Sequence, residues 1–197
     1  MSRTKGSFGP RTKEAIRKAG LELIHRHGYE AMSLRQLADK VGIQQGSLYN
    51  HINAKQDLLF LLMREHLETL NSGLDATLAD KADPVTQMKA FIAFHLTYHM
   101  ERPREVYINN SELRSLEPGN LRKINALRYA YERRVIDIIQ AGVTAKKFKA
   151  AEPKVAAFAI IALLTGICNW YKSNGRLGKT RLVKIHTDLV LHGLADA

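Results

Sequence analysis

The chain has 197 residues, of which 45% are hydrophobic, so it can bury one substantial core and a smaller one. Its net charge of +11 favours polyanionic partners without choosing among nucleic acid, a membrane surface and an anionic metabolite. The single cysteine, Cys168, excludes an internal disulfide, and the N-terminus lacks the apolar segment of a secretory signal. The longest apolar run, residues 155–168, is shorter than the ~20 residues of a membrane span, so we expect a soluble cytoplasmic protein without a membrane partner.

The first 28 residues predict a basic arm and one helix. Residues 1–10 contain glycines and no apolar periodicity, which favours a loose arm. Residues 11–27 repeat apolar side chains at three- and four-residue spacing, and Gly28 follows as a helix stop. Only Glu14 is acidic among the first eighteen residues, so the basic residues there supply the counterion release that drives DNA binding. These basic residues are Arg3, Lys5, Arg11, Lys13, Arg17 and Lys18.

Two further short helices follow. Ser33 is placed to cap a second helix, and Gly42 ends it. A third helix over residues 45–51 turns Leu48 and Ile52 toward a core. The order helix, glycine turn, helix predicts a helix-turn-helix.

From Gln56 onward the sequence predicts a long linking helix and then further helices, with no alternating strand pattern, so the chain is predicted to be all-α. Residues 1–55 are assigned to a three-helix DNA-binding helix-turn-helix domain with its basic arm. Residues 56–197 are assigned to a larger helical domain for effector binding and dimerisation. The later helices are placed at residues 85–100, 104–116, 118–145, 153–173 and 179–194.

The third helix carries amide, hydroxyl, phenol and imidazole groups on its outer face. The DNA major groove admits one α-helix and displays hydrogen-bond donors and acceptors. Ser33 and Lys55 stand at the N-termini of the flanking helices, where they can hold phosphates. Polar short helices and glycine turns occur in enzymes too, so spacing alone leaves that alternative open. The residues suited to base edges or phosphates are Gln45, Tyr49, Asn50 and His51, and Gly46 permits close approach.

The run SLRQLADKVGIQQGSLYNHINAKQDLL resembles the DNA-binding signature of the TetR family of transcriptional repressors, and the resemblance extends over residues 11–62. Its most specific part is GSLYNHI followed by KQDLL. The resemblance implies a repressor that binds operator DNA as a dimer. It implies base contacts by Gln45, Gly46 and Tyr49, and largely phosphate contacts by Ser33, Ser47, Asn50 and Lys55. Arg35 and His51 complete the predicted DNA-binding set, and Asn50 stands where the family commonly has an aromatic residue or histidine.

The C-terminal segment AAFAIIALLTGICNWY is apolar around most of its circumference. One face is therefore expected to pack into its own domain and another against a partner subunit. The last helix has an apolar stripe that can complete a two-fold four-helix interface in a homodimer. A monomer in which this helix is simply core is the alternative.

Two segments resemble a TetR subgroup whose members respond to acyl-CoA thioesters of fatty acid or steroid catabolism: NNSELRSLEPGNLRKINALRYAYERRV and NWYKSNGRL. The resemblance implies a small amphipathic effector, an acyl-CoA or a similar amphipathic anion. From Leu121 onward fourteen lysines and arginines face five acidic residues, which suits a ligand that carries phosphates. We predict that Arg134, Lys172 or Arg176 binds the phosphates and that Phe94, Tyr98 and Trp170 line an apolar channel. A solvated charged face and a packed aromatic core are the alternatives for these residues.

Other chemistry finds little support in the sequence. His95 and His99 have a spacing that can hold a metal, but no acidic ligand lies between them, so no metal or other cofactor is predicted. A helical enzyme acting on a CoA ester is the rival hypothesis, although no nucleophile and base arrangement is recognisable. An interaction adaptor without a ligand is a third.

Overall fold

A computed structural model describes residues 9–194 of the chain, and this range contains helices, turns and loops but no strand. The prediction of an all-α chain is confirmed. The α-helices in chain order are α1 Gly9–His27, α2 Leu34–Val41, α3 Gln45–Leu48, α4 Lys55–Leu78, α5 Pro84–Glu101, α6 Pro103–Ser111, α7 Pro118–Thr144, α8 Pro153–Thr165 and α9 Lys179–Leu194. Short 3-10 helices cover Leu113–Ser115 and Gly166–Asn169. Over the described range, no helix combines the length and apolarity that crossing a membrane requires.

The described chain divides into two compact units. The first contains residues 9–66 and 104–124, and the second contains residues 67–103 and 125–194. The sequence placed one boundary after residue 55. The unit that holds the first three helices also takes in the start of α4, all but the first residue of α6, and the start of α7.

In the first unit, α1, α2 and α3 pack around a small apolar core. Ile24, Leu37 and Leu48 are fully buried. Gly20 lets α1 approach α4 closely, because a Cβ built on it would lie 2.7 Å from a methyl carbon of Leu58. With 8 and 4 residues, α2 and α3 are too short to be stable alone, so burial of these side chains is what holds them.

Local signals set both ends of α2. The Ser33 hydroxyl accepts a hydrogen bond from the Gln36 backbone N–H at 3.2 Å, and the Gln36 side chain accepts one from the Ser33 N–H at 2.9 Å. Gly42 adopts φ 76°, a left-handed conformation that glycine tolerates, and its N–H bonds back to Ala38 at 2.9 Å. The cap predicted at Ser33 and the stop predicted at Gly42 are confirmed.

The second unit is organised around α5, which packs against α8 and α9. Phe91, Ile92 and Leu96 of α5 are fully buried, as are Val135 and Ile139 of α7. A helix that is apolar on most of its faces belongs in the middle of a bundle, and α5 has that character.

Three predicted helix ends are wrong. The third helix ends at Leu48 rather than residue 51, the helix begun near residue 104 ends at Ser111 rather than residue 116, and α8 ends at Thr165 rather than residue 173. In each case the chain continues with hydrogen bonds between residues three apart instead of four, such as that from Trp170 to Ile167 at 3.3 Å. The apolar spacing continues through these turns, and therefore it overestimates the length of the helix.

Candidate DNA-binding surface and ligand cavities

Five residues at α3 form an exposed surface, which we call the polar edge: Gln45, Gly46, Ser47, Tyr49 and Asn50. Leu48 between them is fully buried, and Tyr49 exposes 47% of its surface. A Cβ on Gly46 would meet no atom within 4 Å, so no side chain among residues 9–194 covers this position. His51 is half-buried and Ile52 buried, which places the predicted His51 at the margin of the polar edge.

Three more predicted DNA-binding residues flank the polar edge in the sequence. Ser33 and Arg35 are exposed at the start of α2. The Lys55 ammonium donates to the Glu30 carbonyl at 3.0 Å and lies 4.2 Å from the centre of the Tyr29 ring. Lys55 is thus held at the N-terminus of α4, where the helix dipole favours anions.

Positive charge remains available on α1. Arg11, Lys13 and Lys18 are exposed, whereas Arg17 forms ion pairs with Glu14 and Glu65. Arg3 and Lys5 lie outside the described residues.

A hydrogen-bonded network that the sequence did not predict anchors the start of α4. The Gln56 amide donates to the Tyr29 hydroxyl at 3.1 Å and to the Ser115 carbonyl, and its oxygen accepts from the Glu117 N–H at 3.2 Å. The Tyr29 N–H donates to Glu112 at 3.2 Å. All these residues belong to the first unit. Residues 112–117, which we call the connector segment, are therefore tied to the helix that begins at Lys55.

The second unit contains two cavities with shared walls. One, of about 380 Å³, is called the His99 cavity and the other, of about 250 Å³, the Trp170 cavity. Tyr171 and Lys172 line both. The remaining residues of the His99 cavity are His99, Met100, Pro103, Cys168, Ser173 and Asn174, and those of the Trp170 cavity are Trp170, Gly175, Arg176, Leu177 and Leu182.

The structure brings three of the six predicted ligand residues together, namely Trp170, Lys172 and Arg176 in the Trp170 cavity. Phe94, Tyr98 and Arg134 line neither cavity.

Each of these three has another local environment. Phe94 lies against Gly73, where its ring comes within 2.8 Å of a Cβ built on the glycine. Tyr98 is buried, with the Arg102 guanidinium 4.3 Å from its ring centre. The Arg134 guanidinium donates to both carboxylate oxygens of Asp75, and these hydrogen bonds lower the pKa of Asp75.

A buried polar cluster lies beside the His99 cavity. His95 Nδ1 is 2.8 Å from the Tyr131 hydroxyl, and its Nε2 is 3.1 Å from the Thr165 hydroxyl. The His99 ring stacks on the His95 ring with centres 3.7 Å apart. Burial lowers the pKa of His99 to about 4 and raises the pKa of Cys168 to about 11. Among the residues that the structure describes, no group of three or more side chains is arranged to hold a metal ion.

The outer face of α8 is apolar and exposed, and Leu189 of α9 is exposed as well. Val155, Phe158 and Leu163 expose 63%, 42% and 47% of their surfaces, and Leu189 exposes 56%. On α8 these residues recur three and five positions apart, with exposed Ala159 and Ala162 between them. Such a continuous apolar stripe on a helix is typical of a subunit interface.

Comparison with known protein families agrees with this arrangement of helices. Residues 16–62 match the model for bacterial regulatory proteins of the tetR family, and residues 81–194 match the model for a tetracyclin repressor-like C-terminal domain. The chain belongs to the tetR family. The resemblance stated from the sequence is confirmed, and so is the helix-turn-helix.

Individual TetR-family proteins match over nearly the full chain. The HTH-type transcriptional repressor KstR2 of Rhodococcus jostii strain RHA1 is 25% identical over 98% of this chain and 95% of its own length. A bacterial regulatory protein of the tetR family from Rhodococcus RHA1 superposes with a TM-score of 0.87 at 25% identity, covering 95% of this chain and 98% of that one. AibR, crystallised with isovaleryl coenzyme A and operator DNA, shares the fold with a TM-score of 0.82 at 23% identity, covering 93% of this chain and 98% of AibR.

Proposed function

We propose that this TetR-family chain is a cytoplasmic transcriptional repressor that binds a palindromic operator as a homodimer and responds to an acyl-CoA. The observation that carries the DNA-binding part is the polar edge, whose side chains are exposed while Leu48 between them is fully buried. A short helix with a polar outer face and one side chain packed in the core is suited to enter the DNA major groove.

In the proposed complex, Gln45 and Tyr49 contact base edges and Gly46 allows the helix to come close. Ser33, Ser47, Asn50 and Lys55 bind phosphates, with Arg35 and His51 at the margins. The position of Lys55 supports this assignment, because contacts with Tyr29 and Glu30 hold its ammonium before DNA arrives. A preorganised cation loses less side-chain entropy on binding.

The homodimer is proposed to form through α8 and α9, where Phe158, Leu163 and Leu189 are exposed. A two-fold dimer presents two copies of α3 to half-sites one helical turn apart, which matches a palindromic operator.

The effector is proposed to be an acyl-CoA, with its phosphates at Lys172 and Arg176 and a ring stacked on Trp170 in the Trp170 cavity. Trp170 stacks on His186 with ring centres 6.3 Å apart, and 54% of the Trp170 surface remains exposed. Two cations beside an exposed indole suit a nucleotide that bears phosphates. The isovaleryl coenzyme A bound to AibR supports this choice of ligand class.

Effector and operator are coupled by linkage in this proposal. The effector favours an arrangement of the dimer in which the two α3 helices no longer match successive major grooves. By reciprocity, operator DNA weakens effector binding by the same factor. No catalytic step is needed, and we infer that the chain is a regulator rather than an enzyme, as its named relatives are.

The test begins with selection of binding sites from a random duplex library by the purified full chain. A palindromic consensus bound by two protomers is expected, and isovaleryl coenzyme A should change the affinity for that duplex. Tyr49→Ala should abolish selective binding, whereas Tyr129→Ala, which removes a ring that is 56% exposed on α7, should not. Enrichment of no sequence, or equal loss in both variants, would contradict the proposed operator contact.

A further inference from the structure

We propose that the His99 cavity receives the acyl end of the effector and selects acyl groups that carry a hydroxyl, with Nε2 of His99 as the hydrogen-bond acceptor. The inference rests on the proposed function, since it takes the effector to be a CoA ester.

The hydrogen bonds of His99 fix which ring nitrogen can serve a ligand. Nδ1 of His99 lies 2.8 Å from the backbone carbonyl oxygen of His95. A carbonyl oxygen only accepts, so Nδ1 carries the proton, and in the neutral ring Nε2 offers a lone pair and no hydrogen. The ring is neutral at physiological pH because burial lowers the pKa of His99 to about 4. His99, which lines the cavity, therefore carries its acceptor on Nε2.

The acceptor is also held in place. The ring of His99 stacks on that of His95, and His95 is fixed by hydrogen bonds to Tyr131 on α7 and Thr165 on α8. Three helices of the second unit thus set the position of one nitrogen. A group positioned in this way discriminates between ligands better than one on a loop.

The rest of the lining decides which ligand meets this acceptor. Met100 and Pro103 are apolar, and Tyr171, Ser173 and Asn174 add polar groups. Burial raises the pKa of Cys168 to about 11, so its thiol is neutral. Lys172 supplies the cation, and it also lines the Trp170 cavity. Because Tyr171 and Lys172 line both cavities, one extended CoA ester can hold its phosphates in the Trp170 cavity and its acyl end in the His99 cavity.

The chemistry of the lining favours one class of acyl group. A hydroxyl donates to Nε2, whereas a plain acyl chain leaves Nε2 without a partner. A hydroxyacyl ester is therefore expected to bind more tightly than the acyl ester of the same length.

The experiment uses the full chain and the fluorescence of Trp170, which is the only tryptophan. Butyryl-CoA, 3-hydroxybutyryl-CoA and 4-hydroxybutyryl-CoA are each titrated into the free protein and into the complex of the protein with its selected operator. At least one hydroxybutyryl ester should bind about tenfold more tightly than butyryl-CoA, because one extra net hydrogen bond corresponds to about that factor.

His99→Phe should reduce the preference for hydroxyl to less than about twofold, since it removes the acceptor whose hydrogen bond accounts for the tenfold difference. His25→Phe makes the same exchange at an exposed position of α1 in the first unit and should keep the preference. If His99→Phe fails to fold, the comparison of esters on the unaltered protein decides. Equal affinities for hydroxybutyryl and butyryl esters that both release the operator would overturn the hydroxyl selection and leave the proposed function standing. Esters that neither bind nor release the operator would overturn both.

Discussion

The polar edge of α3 and the His99 cavity use polar side chains in opposite ways. At the polar edge the side chains are exposed, and the residue that fixes them is the buried Leu48 beneath. In the His99 cavity the polar side chain is itself 4% exposed, and hydrogen bonds fix its proton on one nitrogen. Exposed polar groups suit binding to DNA, a hydrated polyanion surrounded by counterions. A buried acceptor suits discrimination between small ligands.

The largest expected effect comes from removing the buried side chain that supports the polar edge. Leu48→Ala removes a fully buried side chain and should lower the free energy of unfolding by about 2–5 kcal/mol. Tyr49→Ala changes the next, exposed residue and should lower it by less than about 0.5 kcal/mol. Urea unfolding followed by circular dichroism measures both. Equal losses would mean that α3 is not packed through Leu48.

Acid should destabilise the second unit, because it protonates the buried histidines beside the His99 cavity. Burial lowers the pKa of His99 to about 4 and that of His95 well below its ordinary value, so both rings are neutral in the folded state. An unfolded histidine titrates at about 6.5, and the unfolded chain therefore binds more protons as the pH falls below that value. The stability contributed by the two neutral rings is therefore complete above pH 6.5 and is lost as the pH falls toward 4.

Between pH 7 and pH 5, His99 alone should lower the free energy of unfolding by roughly 2 kcal/mol. This window lies above the range in which ordinary carboxylates take up protons. Urea unfolding at the two pH values measures the loss, and His99→Leu should reduce it. A free energy of unfolding that is unchanged between pH 7 and pH 5 would contradict the buried neutral pair.

The sequence predicted the polar edge better than the cavity, and the reason is physical. Helical spacing marks Leu48 and Ile52 as inward-facing, and what remains exposed between them follows directly. A cavity is formed by residues distant in the chain, such as His99 and Cys168, whose proximity no local pattern records. The spacing of His95 and His99 suggested only a weak metal site, whereas their partners Tyr131 and Thr165 decide their actual role.

Charge gave the least reliable predictions for the same reason. The excess of lysine and arginine after residue 121 correctly marks a basic region, but it does not say which cations are already paired. Arg134 forms its ion pair with Asp75, 59 positions earlier in the chain. Lys172 and Arg176 instead line a cavity.

Smaller effects should distinguish base contacts from phosphate contacts at the polar edge. Gln45→Ala should weaken binding to the selected operator by about 1–3 kcal/mol and leave binding to an unrelated duplex nearly unchanged, because an amide reads bases through paired hydrogen bonds. Lys55→Ala should weaken binding to both duplexes and reduce the salt dependence, because it contacts phosphate. Fluorescence anisotropy at several salt concentrations measures these values. A uniform loss on all sequences for Gln45→Ala would remove its role in reading bases.

The smallest predicted effect concerns the link between the two regions. The connector segment follows α6 and leads into α7, a helix that runs from the first unit into the second, and Gln56 ties this segment to Tyr29 beside Lys55. Gln56→Ala removes those hydrogen bonds without touching the polar edge or either cavity. We expect operator affinity without effector to change little, and the factor by which an effector reduces it to shrink about threefold, a part of the usual 1–3 kcal/mol of coupling. Gln87→Ala is the matched control, because Gln87 donates to the Lys81 carbonyl at 2.7 Å within the second unit. If both variants keep the full effector response, the hydrogen bonds of Gln56 do not carry the coupling, which then runs along α4 or through the start of α6, where the chain also passes between the units.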